Sequence, residues 1–455
     1  MEVVKKIAEF VVKTNFEALP QEAVTAAKKA FLDTLGVALA GSIEPASKII
    51  TAFVKKLGGN PACGVIAGKI RTSAPNAALA NGVIAHVLDY DDTGAGAQGH
   101  PSVPLFPTVL ALGEELGCSG KEILTAYVLG AEVWSKVSAQ MPMLHMKGWH
   151  PTPVFGTLGA GMAAAKLLKL NVEQTMMTLG LAGSQSAGVV QNFGTFTKSF
   201  HAGNAARSGI MAALLVKDGY TATQDILEGH AGFPVTFFGG QKVDVAGMAE
   251  NLGQPFAVVS PGINVKKFPA CYGTHRAIDA TIHLAKENNL KPEDVAEIDV
   301  QVPPRTLQIL FYNKPTTALE AKFSMHFTLA AALIDRKVSL SQVTDAKAKD
   351  PLILDLERKV KMRPFPDADA NENGDKRPDV VTIKMKNGKE YSHSVLRARG
   401  HSDVPLSWDE LLEKYRDCAR VALNDQQVAR TIEIMGNLEK LGNVKELASI
   451  VTGMA

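Results

Sequence analysis

Cysteine is scarce in this chain: four in 455 residues, Cys63, Cys118, Cys271 and Cys418, all far apart. That spacing excludes a disulfide framework and a CxxC zinc motif, and it fits a reducing cytoplasm best. An excess of one charge is lacking too. The formal net charge is +2, and no dense Lys/Arg run is present to track a phosphate backbone, so no nucleic-acid partner is expected. No uninterrupted apolar run reaches the length needed to span a bilayer. The opening MEVVKKIAEFVVK is broken by Lys5, Lys6 and Lys13 and lacks the apolar core and cleavage pattern of a signal peptide, so no membrane partner is expected either. There is no GxGxxG after a strand, no GxxxxGK and no GxSxG, which leaves dinucleotide and triphosphate chemistry without support.

What is present points to a large folded core: 46% of residues are apolar and 21% charged. Segments 20–41, 78–90, 120–140, 153–170 and 204–220 carry apolar residues at helical spacing. Several are rich in Ala and Gly and apolar on most faces, as in buried helices whose backbones approach closely. After about residue 260 the texture changes. VAEIDVQVP (295–303) is β-branched and partly alternating, and 380–396 is two strand-like runs around Asn387-Gly388, a hairpin signal. A helix is expected over 317–337, a polar surface loop over 364–379, and a helix over 406–423 with Ser407 and Glu410 at capping-box spacing. The expected fold is mainly α: a large all-helical domain built from both chain ends, 1–260 and 398–455, with an α+β domain inserted at 261–397.

Four short stretches combine titratable residues with Gly or Pro. VLDYDDTGAGAQGHPSVP (87–104) holds Asp89, Asp91, Asp92, Thr93 and His100 around a glycine-rich turn. A carboxylate and an imidazole beside such a loop can exchange protons near neutral pH, although aspartates are also common in turns. In KGWHPTPVFGTLGAG (147–161), His150 precedes Pro151 at a helix start, and helix N-termini attract anions. In FGTFTKSFHAGNAARSG (193–209), Lys198 and His201 stand before a small-residue helix, where a lysine can bind a carboxylate. In KKFPACYGTHRAIDATIHLA (266–285), Cys271, His275 and Arg276 follow Pro269. His275, Asp279 and His283 share one helical face there, yet no further ligand stands at a matching spacing, so no metal is expected. Together these residue types suit cofactor-free proton transfer on a small anion. They do not name the reaction.

In this order, HVLDYDDT with GHPS, GWHPT with FGT, TKSFHAGNAARSG and KKFPACYGTH resemble the MmgE/PrpD family. That family includes 2-methylcitrate dehydratases, cis-aconitate decarboxylases and iminodisuccinate epimerases. The resemblance spans nearly the whole chain. It implies a helical domain with an inserted α+β lid, a homodimer, no cofactor, and a small di- or tricarboxylate substrate. It also implies that Asp89, Thr93, His100, His150 and Lys198 form the pocket, with His201, Cys271, His275 and Arg276 as further substrate contacts. In that scheme Lys198 and nearby helix N-termini hold carboxylates, and His100 and His150 exchange protons. Asp89 orients an imidazole, and Thr93 bonds the substrate. A lyase, by dehydration or decarboxylation, is the leading expectation. An epimerase, an inactive binding homologue and a metal-dependent hydrolase are the other readings.

Overall fold

The computed structural model describes residues 2–367 and 377–453. The protein is mainly α-helical and divides into two compact units. One comprises residues 1–87, 91–265 and 407–455, and the other residues 88–90 and 266–406.

The first unit is built on helices Gln21–Gly41, Ala74–His86, Ser102–Leu116, Gly120–Ala139, Pro151–Leu167, Val172–Gln185 and Thr197–Lys217. Ala74–His86, Pro151–Leu167 and Thr197–Lys217 are buried along most of their length, which their small apolar residues allow. Ala74–His86 and Thr197–Lys217 cross at Gly82 and Gly203. A Cβ on Gly82 would stand 2.5 Å from the Gly203 Cα, and one on Gly203 would stand 2.2 Å from the Leu79 carbonyl oxygen. Only hydrogen fits there. The crossing brings the last turn of the first helix, ending in His86, beside the first turn of the second, holding Lys198. No single described helix is long and apolar enough to cross a membrane.

The second unit carries a four-stranded sheet: β1 Val295–Val302, β2 Val360–Pro364, β3 Asp379–Met385 and β4 Glu390–Val395. The strand order is β2-β1-β3-β4, with β1 and β2 parallel and the other pairs antiparallel. β3 and β4 form the hairpin around Asn387-Gly388, where Gly388 takes φ +83°. β3 alternates buried and half-buried residues, as a strand with one face on a core does. The single helix expected over 317–337 is two, Ala318–Ala321 and Met325–Asp335. Buried Ser324 breaks it, because its side chain accepts from the Phe327 amide and so starts a new helix. The capping box at Ser407 and Glu410 is formed, with both reciprocal bonds. The polar segment 364–379 lies partly outside the described residues.

Candidate active site

Three aspartates in four residues find three different partners. Asp89 adopts a left-handed backbone, φ +51°, which Asp tolerates better than most residues. Its carboxylate lies 3.2 Å from Lys266 Nζ, and Lys266 also donates to the Asp89 carbonyl at 2.6 Å. Asp92 is fully buried and accepts from the Ser102 backbone N–H at 3.2 Å. Its other oxygen bonds the Ser102 hydroxyl, which is itself 2.6 Å from the Tyr127 hydroxyl. Asp91 faces imidazoles: Oδ1 is 2.9 Å from His86 Nδ1, and Oδ2 is 2.8 Å from His100 Nδ1. Within the first unit, the carboxylate that meets two imidazoles is that of Asp91.

His86 was not singled out by the sequence reading, although it stands in the quoted motif. Its side chain and that of Asp91 are wholly buried. Its Nε2 lies 3.1 Å from Lys198 Nζ. A lysine ammonium can only donate, so the hydrogen-bond network assigns the His86 proton to Nδ1, where Asp91 accepts it. Burial lowers the His86 imidazole to about 4, with Asp91 opposing and Lys198 adding to the fall. Burial alone would push the Asp91 carboxyl up. The imidazoles of His86 and His100 outweigh it and hold the carboxyl well below its usual range. The two rings, with His86 Nδ1–H donating at 2.9 Å and His100 Nδ1 at 2.8 Å, favour the ionised carboxylate.

His150 and His201 complete the cluster. Their Nδ1 atoms are 3.1 Å apart, so one ring donates to the other. The His150 ring stacks at 6.2 Å from that of His86 and meets Phe193 edge-on at 4.8 Å, and Lys198 Nζ lies 5.5 Å from the Phe193 ring. Burial, then the charge of Lys198, lowers both His150 and His201, and His150 falls well below the ordinary imidazole range. His150 N-caps the helix Pro151–Leu167 and is held by its own backbone, whose N–H donates to the Gly188 carbonyl at 3.0 Å. Gly188 takes φ +114°, and a Cβ there would sit 2.6 Å from Pro153. The N-terminus of this helix is poor in donors for an anion, because Pro151 and Pro153 lack an amide hydrogen. At the helix Thr197–Lys217 the Thr197 amide is already bonded to the Thr195 hydroxyl.

The glycine-rich turn between Thr93 and His100 is tied down. Thr93 and Gly94 pair antiparallel with Asn264 and Ile263, and the Asn264 side chain reaches the Thr93 hydroxyl at 3.5 Å. Gln98 bonds the Ser138 and Met141 carbonyls and the Leu144 amide, and Trp134 donates to its carbonyl. The His100 amide bonds the Thr152 hydroxyl at 3.1 Å.

The remaining predicted residues lie in the second unit. Cys271 is half-buried, with its amide bonded to the Lys322 carbonyl at 2.8 Å. His275 is buried, with Nε2 at 3.2 Å from the Ala270 carbonyl. Arg276 pairs with Asp379 on β3 and donates to the Arg377 carbonyl at 3.1 Å, so its guanidinium ties helix to sheet. The His275, Asp279, His283 row is divided: Asp279 accepts from the Arg399 amide, and His283 pairs with Glu287 and stacks on His393. As for a metal, His86, Asp91 and His100 do carry ligand-type atoms within 4.8 Å of one another. However, both Asp91 oxygens already face imidazole Nδ1 atoms, and the Lys198 ammonium stands at His86 Nε2. A cation would meet that charge.

The MmgE/PrpD N-terminal domain family matches residues 5–246 and the MmgE/PrpD C-terminal domain family residues 268–440. The chain belongs to the MmgE/PrpD family. It is 29% identical to human cis-aconitate decarboxylase, over 96% of this chain and 91% of that protein. Identity to the mouse enzyme of the same name is 28%, over 94% and 88%, and to one from Aspergillus terreus 24%, over 99% and 96%.

One consequence concerns stability. Burial raises the Asp92 carboxyl to about 8, against the pull of its Ser102 bonds. A carboxyl raised in the folded state costs stability as pH climbs from its unfolded value, about 3.9, to that folded value. Asp92→Asn keeps the Ser102 contacts without the charge. Its Tm is expected to match or exceed the wild type above pH 7 and to lose part of the decline between pH 4 and 8. A Tm lower at every pH would mean that the carboxyl is needed ionised.

Proposed function

We propose that this MmgE/PrpD protein is a cofactor-independent lyase acting on a small tricarboxylate, and that its reaction is decarboxylation of a cis-aconitate-type acid. The observation that carries this reading is the group of buried Lys198, His86, His150 and His201 and half-buried His100 around the carboxylate of Asp91. An ammonium among neutral imidazoles in a dry setting attracts a multiply charged anion and then supplies it with protons. The names of the relatives support the substrate class.

The chemistry balances without a cofactor. The bond from the carboxymethyl carbon to its carboxylate breaks and releases carbon dioxide. Its electron pair forms a new terminal double bond. The old double-bond pair moves to the carbon bearing the conjugated carboxylate, and that carbon takes up a proton. In this scheme Lys198 holds a carboxylate, Thr93 and His201 bond the substrate, and His100 and His150 move the proton. As parts of the same proposal, the second unit closes as a lid that brings Asp89, Cys271, His275 and Arg276 to the substrate, and the protein works as a homodimer in the cytoplasm. Chain order supports the lid, since residues 266–406 are inserted between two parts of the first unit.

The test is proton NMR of the purified protein in D2O with cis-aconitate. The expected result is carbon dioxide and a product with two vinylic protons and one deuterium on the neighbouring methylene. If 2-methylcitrate or citrate loses water while cis-aconitate is untouched, the protein is a dehydratase and the decarboxylase reading fails. Deuterium exchange at a carbon next to a carboxylate without elimination would make it an epimerase.

A further inference from the structure

We infer that His86 and Asp91 are a positioning pair that couples Lys198 to His100, acting through those two residues without touching the substrate. The inference rests on the function proposed above for Lys198 and His100. It adds two residues that the motif reading left without a role.

The links are three: Lys198 Nζ to His86 Nε2 at 3.1 Å, His86 Nδ1 to Asp91 Oδ1 at 2.9 Å, and Asp91 Oδ2 to His100 Nδ1 at 2.8 Å. Each forces the next. The ammonium needs an acceptor, which fixes the His86 proton on Nδ1. An ionised carboxylate only accepts, so both imidazoles present Nδ1–H to Asp91. With Nδ1 held at Asp91, Nε2 is the His100 nitrogen on the far side of the ring and the one to exchange a proton. Asp91 is a fork with two oxygens for two donors. The rings of His86 and His100 meet edge-on at 4.6 Å, so neither can turn without disturbing the other. Full burial of His86 and Asp91 removes water as an alternative partner.

Asp91→Asn offers one acceptor where two are needed. One imidazole must then move its proton to Nε2 or reorient. If that ring is His86, an N–H faces the Lys198 ammonium. If it is His100, the ring nitrogen presented for proton exchange changes. His86→Asn damages the other arm: its amide N–H can still serve Asp91, but the ring nitrogen that Lys198 Nζ meets at 3.1 Å is gone.

The test has two arms on the full-length protein. First, nitrogen-15 NMR of the histidine rings at pH 7 should show His86 as the neutral Nδ1–H tautomer and a proton on His100 Nδ1, with at least one of these signals lost in Asp91→Asn. Second, Asp91→Asn is expected to lower kcat roughly 100- to 10,000-fold, as loss of a carboxylate that sets a tautomer can do. The same change in a His100→Ala background is expected to add less than about 3-fold, because residues acting as a unit are not additive. His86→Asn should raise KM more than it lowers kcat. Equal losses from Asp91→Asn in both backgrounds, or a wild-type His86 carrying its proton on Nε2, would overturn the inference. A wild type that turns over no tricarboxylate would defeat the proposed function, while the tautomers would still decide this pairing.

Discussion

His150→Ala is expected to lower turnover by roughly 100- to 10,000-fold, the usual contribution of a positioned acid–base group. KM should stay within about a few fold, since a proton-transfer residue acts chiefly in the transition state. The physical basis is local. His150 is 2% exposed, its backbone is pinned to Gly188, and its Nδ1 is held by His201. The ring is therefore set before substrate arrives, and burial keeps it neutral at pH 7 and ready to take a proton once an anion is beside it. Steady-state kinetics with a parallel melting curve separate a catalytic loss from an unfolded variant. A folded His150→Ala protein with kcat within threefold of wild type would remove His150 from the reaction.

Lys198→Met is expected to act on binding. Methionine keeps the apolar stem and removes the charge. Truncating one partner of a buried charged pair costs about 2–5 kcal/mol, and about 1.4 kcal/mol is tenfold, so KM should rise roughly 30-fold or more. A second readout does not need turnover. Burial is the first cause of the lowered His86, His150 and His201 imidazoles, and Lys198 is another in each case. Asp91 and His100 also act on His86, and His86, His100 and His201 on His150. Without Lys198 the three rings should titrate at higher pH. The sign for stability follows. An imidazole lowered on folding costs stability as pH drops below its unfolded value, about 6.5, because the unfolded chain takes up the proton first. For His86 that loss runs from there to about 4. Lys198→Met should soften this acid-side fall in Tm. An unchanged KM with unchanged ring titrations would mean that Lys198 faces neither substrate nor imidazoles in solution.

Much of this protein was legible before any coordinates. Helical periodicity, the Asn387-Gly388 hairpin and the Ser407 capping box are local codes, written within a few residues of where they act. His100, His150 and Lys198 could be picked out for a related reason. His100 and His150 stand beside Gly or Pro at a helix entry, and Lys198 stands in the first turn of a helix, where a side chain can point inward. The break at Ser324 was missed because its neighbours keep apolar helical spacing and the capping bond outweighs that pattern.

The allocation of partners had no local signal. Asp89, Asp91 and Asp92 look alike in a row, yet they go to Lys266, to two imidazoles and to Ser102. Nothing in the spacing of His86 and Asp91 distinguishes a buried pair from a solvated turn. The sequence by itself determined which segments are helical, which are strands, and which titratable residues stand at the entries. Only the tertiary structure decided which of them meet. The crossing at Gly82 and Gly203 sets His86 against Lys198, more than a hundred residues apart, and burial then makes each surviving hydrogen bond count because water is no longer there to replace it.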